Sequence, residues 1–201
     1  MRSHDASKAF SRLTKLSIWL TEVIRPIHLA LFTLIFVAFK AYVLPNVSEA
    51  TKLATGSERS PDTSFFYTAD DVYEIAKEYG PEGRSYYIKS RVTFDVVWPI
   101  AYGLFLTAAL SRLLSNVSDR LKWLARLNLM PILGVALDYL ENFATATAMS
   151  IYPKTIFLAS LAPYFTALKW SCIYASFGIV VVGVPIVLIL KLKSRGGSKM
   201  I

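Results

Sequence analysis

The stretch Pro131-Ile-Leu-Gly-Val-Ala-Leu-Asp-Tyr-Leu-Glu-Asn142 places two carboxylic acids and one amide inside a long apolar segment. Asp138, Glu141 and Asn142 are spaced i, i+3 and i+4, so in a helix they share one face. Ionisable side chains inside a membrane are energetically expensive, and where they occur they face a bundle interior or a cavity. The spacing therefore predicts a polar helix face at which any function would be concentrated.

The chain around this stretch is more apolar than a soluble domain. Of its 201 residues, 54% are hydrophobic and 18% are charged, against about 45–50% and about 25% in soluble proteins. The apolar residues gather into four blocks, each near the roughly 20 residues needed to cross a bilayer: about 24–44, 92–114, 127–152 and 159–190. No low-complexity linker or repeat divides the chain. We therefore predict an all-α, polytopic membrane protein, a four-transmembrane-helix bundle formed by one membrane domain, residues 1–201.

Two further helices are predicted outside the four spans. Apolar residues spaced by three and four among the basic residues of 1–20 predict an amphipathic N-terminal helix at the membrane surface. In the loop 45–91, the first part is polar and is expected to be mobile. Thr68 and Asp71 then have the spacing of a capping box, which predicts a short helix that Gly80-Pro81 would end. This helix either caps one mouth of the bundle or is only a surface helix.

The basic residues predict the orientation and the partners. Lys and Arg concentrate in the N-terminal flank, the second connector and the C-terminal tail. The positive-inside rule therefore puts both termini in the cytoplasm and the loop 45–91 on the extracytoplasmic side. Because the net charge of +8 lies where it would meet headgroups, we expect membrane lipids as partners and not nucleic acid. The single cysteine, Cys172, and two distant histidines match no metal-ligand spacing, so no metal or cofactor is predicted.

In this topology, polar residues from three spans reach similar depths. The predicted ligand-binding set consists of Asp95, Asp138, Glu141, Asn142, Lys169, Tyr102 and Tyr139. Asp138 and Glu141 would be the anionic contacts, Asn142 an orienting group, and the two tyrosines hydrogen-bonding neighbours. Whether the protein is an enzyme stays open. If it is, Glu141 is the candidate proton donor or acceptor, because an outward position would give it a route to water.

The four-span layout, the Tyr-Thr-Ala-Asp-Asp stretch at 67–71 and the Asp-Tyr-Leu-Glu-Asn stretch at 138–142 resemble a family of small four-span integral membrane proteins with no assigned activity. The resemblance implies a fold and no chemistry. Three functions remain consistent with the residues. The first is an acidic pocket, open to the extracytoplasmic side, that binds a lipid-like or cationic small molecule. The second is a non-catalytic subunit or scaffold, whose buried polar residues serve helix packing and docking of another membrane protein or a second copy. The third is ion or proton transport by an oligomer.

Overall fold

The fold is all-α in the computed structural model, which describes residues 2–61, 64–115 and 119–197. A π-helical segment, Phe39–Val43, joins the second and third helices, and a 3-10 segment, Asp119–Leu129, precedes the sixth. The α-helices are α1 Arg2–Val23, α2 Pro26–Ala38, α3 Leu44–Thr55, α4 Ala69–Arg91, α5 Phe94–Leu114, α6 Met130–Ile151 and α7 Phe157–Gly197. The predicted helical class and the N-terminal helix are confirmed.

Within the described residues, three helical stretches are long and apolar enough to cross a membrane: Pro26–Thr55, Ala69–Leu114 and Phe157–Leu190. They contain the first, second and fourth predicted spans, which supports a membrane protein. Helix α6 is not among them, because Asp138, Glu141 and Asn142 interrupt its apolar sequence. The prediction of four spans is therefore confirmed only in part.

The segment between the first two spans is more helical than the sequence predicts. The first predicted span ends near residue 44, just before Pro45, but the helix continues to Thr55. The wider π turn places Pro45 in the first turn of α3, where its missing N–H is not needed. Residues 48–55, predicted to be mobile, consequently belong to α3.

Helix α4 begins where the capping box predicts. The Thr68 side chain accepts a hydrogen bond from the Asp71 N–H, and the Asp71 carboxylate accepts one from the Thr68 N–H. The predicted end at Gly80-Pro81 is confirmed, because Gly80 has a positive φ of 63°, leaves the helical conformation and kinks the chain. A second helical stretch, which the sequence does not predict, begins at Pro81, a residue well suited to start a helix, and runs to Arg91.

Helix α6 lies at the centre of the bundle. It packs most extensively against α7 and also contacts α4 and α5. Two of these contacts depend on close approach. A Cβ atom added to Gly103 of α5 would lie 2.6 Å from Cγ2 of Val135 in α6, and one added to Gly134 would touch Cys172 of α7. Gly103 of α5 and Gly134 of α6 therefore lie on packing faces, and α6 packs against three neighbouring helices.

Candidate functional site

The polar face of α6 is buried as a unit. Asp138, Glu141 and Asn142 keep 7%, 0% and 5% of their surfaces exposed. The helical spacing explains their common direction, and the central position of α6 explains their burial. The three polar residues of the stretch 131–142 are therefore all buried, even though they make α6 less apolar than a typical membrane helix.

Lys169 of α7 faces two of these residues and is itself only 3% exposed. Its ammonium forms an ion pair with Glu141, and its Nζ lies 3.5 Å from Oδ1 of Asp138. A buried carboxylate without a cation is costly, and a shared lysine reduces that cost for both acids. Lys169 therefore lies next to Asp138 and Glu141, as the sequence predicts.

Asp138 also accepts hydrogen bonds from two neutral groups. The Tyr102 hydroxyl of α5 donates to Oδ2 over 2.9 Å, and the Asn142 side-chain amide donates to Oδ1 over 3.2 Å. Both carboxylate oxygens therefore have donors as well as the Lys169 ammonium.

Glu141 is held by a residue that the sequence analysis missed. The Tyr67 hydroxyl donates to Oε1 of Glu141 over 3.2 Å, and the Thr166 hydroxyl donates to the Tyr67 oxygen over 3.0 Å. Tyr67 precedes α4, so the polar segment reaches into the bundle. Because Glu141 is enclosed from both sides, the structure does not give it the route to water on which its candidate proton-transfer role depended.

Arg91, at the end of α4, is the second residue that the analysis missed. Its guanidinium lies 3.2 Å from Oδ2 of Asp95 and donates to Oδ1 of Asn142 over 3.1 Å. It also lies over the Tyr87 ring, 4.2 Å from the centroid, and Tyr87 donates to Thr145 of α6. Arg91 and Asp95 are only four residues apart in the sequence, which was a usable signal of proximity, although they belong to different helices, α4 and α5.

Tyr139 forms its hydrogen bond outside this group. Its hydroxyl donates to the backbone carbonyl of Val96 over 2.7 Å, although its side chain lines a cavity together with Arg91 and Asn142. Six of the seven predicted residues therefore belong to one connected group, here called the charged cluster, together with the two additional residues. The charged cluster consists of Asp95, Asp138, Glu141, Asn142, Lys169, Tyr102, Arg91 and Tyr67.

A cavity of about 480 Å³, here called the central cavity, adjoins the charged cluster. Its charged lining residues are Lys40, Arg91, Asp95, Asp138 and Lys169. Most of its remaining wall is aromatic or aliphatic: Phe36, Leu44, Phe94, Trp98, Tyr102, Trp170, Ile173 and Phe177. Glu141, which is fully buried, lies behind Lys169. The acids that a ligand can reach here are therefore Asp138 and Asp95.

The central cavity continues towards the polar segment between α2 and α5. A second cavity of about 430 Å³ shares five lining residues with it and extends to Lys52, Glu58 and Arg59. The Lys52 ammonium, which hydrogen-bonds to Glu58, lowers the pKa of that exposed carboxyl. The two cavities together give the charged cluster a path to the α3–α4 side of the bundle.

At the opposite end of the central cavity, three aromatic rings meet. Phe36 of α2 stacks on Phe105 of α5 with centroids 4.7 Å apart, and both approach Phe177 of α7, at 6.0 and 6.1 Å. This aromatic floor separates the charged cluster from the side of the bundle on which α2 begins.

Comparison of the chain with protein-family models, curated proteins and solved structures gave no match. Within residues 2–61, 64–115 and 119–197, no group of three or more His, Cys, Asp or Glu side chains is arranged to hold a metal ion.

Proposed function

We propose that the chain is an integral membrane protein that binds an amphipathic, lipid-like molecule in the central cavity, with Asp138 and Lys169 as polar contacts. The observation that carries the proposal is that buried charged side chains line a cavity whose remaining wall is mostly aromatic or aliphatic. Small-molecule sites commonly combine roughly 300–1,000 Å³ of mostly apolar space with a few fixed polar groups.

In this proposal α6 is the fourth span. Its 22 residues reach about 33 Å at 1.5 Å per residue, enough for a hydrocarbon core of about 30 Å. The groups that make it too polar by composition are enclosed by α4, α5 and α7 and need not meet lipid. With both termini cytoplasmic, as the basic flanks predict, the path through the second cavity leads to the extracytoplasmic side.

The cavity differs from the acidic pocket that the sequence suggests. Lys169 and Arg91 offset two of the three carboxylates of the charged cluster. This balance favours a ligand with a polar headgroup and an apolar body over a simple cation. The aromatic floor argues against transport in this conformation, since a conducting path would need water or polar groups past Phe36, Phe105 and Phe177.

The competing proposal is a scaffold, and the enclosure of Glu141 favours it. An ion pair that no ligand can reach can serve to specify how α6 and α7 pack. The two proposals differ in what Asp138 does, because Asp138 lines the central cavity and Glu141 does not.

Native mass spectrometry of the detergent-purified protein tests the proposal, with wild type, Asp138→Asn and Glu141→Gln compared. Asp70→Asn, on the exposed surface of α4, is the matched control for loss of one carboxylate. We expect wild type, Glu141→Gln and the control to carry a small molecule that folded Asp138→Asn loses. If the wild-type protein carries none and both cluster variants only lose stability, the proposal fails and the scaffold function is favoured.

A further inference from the structure

The carboxylates on the wall of the central cavity already have partners within the protein. Oδ2 of Asp95 lies 3.2 Å from a guanidinium nitrogen of Arg91. Asp138 lies 3.5 Å from Nζ of Lys169, and both of its carboxylate oxygens accept hydrogen bonds from neutral side chains. Glu141 shares the same lysine but is enclosed behind it and does not line the cavity. The acids that a ligand can reach are therefore already paired.

Lys40 is the charged residue of the cavity wall that has no acidic partner in the described parts of the chain. Its ammonium forms no ion pair there, whereas Arg91 and Lys169 each pair with a carboxylate. The charged side chains that line the cavity consequently sum to one positive charge, three cations against the two acids Asp95 and Asp138. A ligand with a single negative charge would complete this balance.

Lys40 lies on the cavity side of its helical stretch. Phe36 and Leu44, four residues before and after it, line the same cavity, and residues at this spacing share a helix face. Lys40 itself belongs to the π-helical segment Phe39–Val43, and single π turns inside longer helices frequently occur at functional sites. Lys40 is exposed, and Leu44 also lines the second cavity. The ammonium is therefore accessible beside the junction of the two cavities.

The wall next to Lys40 suits a hydrocarbon chain. Trp98 of α5 stacks on Phe36 of α2 with centroids 5.8 Å apart, and Ile173 and Phe177 of α7 line the same cavity. Ring faces and aliphatic side chains are apolar, so the part of the ligand that lies against them is hydrocarbon. The cavity thus combines an unpaired cation with a long apolar wall.

We infer that the ligand is an anionic amphiphile, a hydrocarbon whose carboxylate or phosphate group contacts Lys40. The inference rests on the proposed function and names the class of molecule. Asp138 and Lys169, which stay paired with each other, contact a neutral group such as a hydroxyl, because a hydroxyl can donate to a carboxylate and accept from an ammonium. A free anion such as acetate has the same charge but lacks the hydrocarbon part.

The test measures binding to the full-length protein in a neutral detergent by the change in tryptophan fluorescence. The probes are ricinoleate, a fatty acid with a hydroxyl group on its chain, and ricinoleyl alcohol, which has the same chain and a neutral end. At about pH 8.5 the carboxylate is ionised and lysine is protonated. We expect the affinity for ricinoleate relative to the alcohol to be about tenfold higher in wild type than in Lys40→Gln, as one charge-assisted contact gives. Comparing this ratio between proteins cancels the different partitioning of the probes into detergent.

Further variants separate this contact from a lysine that only extends to the membrane interface. Lys40→Arg should keep the wild-type ratio, because it keeps the charge, and Lys40→Glu should lower the ratio below that of Lys40→Gln. Lys77→Gln, on the exposed face of α4, is the control for charge loss and should leave the ratio unchanged. An unchanged ratio in Lys40→Gln, or an equal fall in Lys77→Gln, overturns the inference while the proposed function stands.

A competition experiment distinguishes an amphiphile from a free anion. Sodium acetate should displace no more ricinoleate than sodium chloride of the same ionic strength, because the hydrocarbon part is needed for binding. Displacement by acetate alone would mean that a free anion suffices and would overturn the inference. If neither probe binds the wild-type protein, the inference fails, and the proposed function fails with it only if the purified protein also carries no small molecule.

Discussion

Replacing Lys169 by methionine should destabilise the protein by about 3–5 kcal/mol, the usual cost of removing one partner from a buried ion pair. Methionine retains much of the apolar stem and removes only the ammonium. The ammonium pairs with Glu141, which is 0% exposed, and with Asp138, which is 7% exposed. The variant therefore leaves two carboxylates in a largely desolvated site with Arg91 as the nearest remaining cation of the charged cluster.

A Coulomb estimate supports this magnitude. Opposite unit charges at the 3.5 Å that separate Lys169 Nζ from Asp138 Oδ1 attract by about 5 kcal/mol at an effective dielectric constant of about 20. The contact with Glu141 adds attraction, and relief from burying the ammonium subtracts from the loss. The measured change should fall below the sum of the two attractions for that reason.

The assay is reversible unfolding in mixed detergent and SDS, followed by circular dichroism. Lys77→Met, on the exposed surface of α4, should stay within about 0.5 kcal/mol of wild type. Adding Glu141→Gln to Lys169→Met should recover more than half of the lost stability, because only one carboxylate then lacks its lysine. A Lys169→Met protein within about 1 kcal/mol of wild type would refute the reasoning, since the acids would then not depend on this cation.

Three further comparisons use matched pairs of residues, each followed in the same unfolding assay. Gly103→Ala should cost about 1–3 kcal/mol because its Cβ would meet Val135 at 2.6 Å; Gly178→Ala, with open space around it, should not destabilise, and equal losses would contradict the packing argument. Tyr102→Phe should cost about 1.5–3 kcal/mol, as a lost hydrogen bond to a carboxylate does, and Tyr139→Phe, which loses a neutral partner, about 1 kcal/mol; the reverse order would contradict the site. Asp71→Ala should cost about 1 kcal/mol more than the adjacent Asp70→Ala, because Asp71, unlike Asp70, forms the capping box with Thr68 at the start of α4. Hydrogen bonds from Thr68 lower the pKa of Asp71 in the folded protein. The difference in stability should therefore be present above about pH 4, the pKa of Asp71 in the unfolded chain, and should vanish as the pH falls through the lower pKa of the folded state. A difference that persists in acid would contradict the role of Asp71 in the cap.

The charged cluster combines two tasks that are often separate. Glu141, Tyr67 and Thr166 form an enclosed set that ties the polar segment to α6 and α7. Asp138 and Lys169 belong to the same network but also line the central cavity. A ligand that contacts Asp138 would therefore also affect the pairing of Lys169 with Glu141. Because such a ligand binds the folded state, its binding should raise the resistance of the bundle to unfolding.

The sequence by itself determined the local features. The 3.6-residue period put Asp138, Glu141 and Asn142 on one face, the cap at Thr68 set the start of α4, and the apolar blocks indicated membrane helices. These features depend on neighbours within a turn or two, so a single chain segment contains the information. The depth of Lys169 relative to the acids followed instead from the order and length of the predicted spans.

Only the tertiary structure decided which of these residues meet. Tyr67 reaches Glu141 across 74 positions and Arg91 reaches Asn142 across 51, and no local pattern encodes such pairs. Whether Asp138 or Glu141 lines the central cavity depends on the rotation of α6 against its neighbours, which is set by close packing on α7 at Gly134 and on α5 at Gly103. Helix rotation follows from the shapes of all the packed faces together, and for that reason the ligand-accessible acid emerged from the fold and not from the spacing.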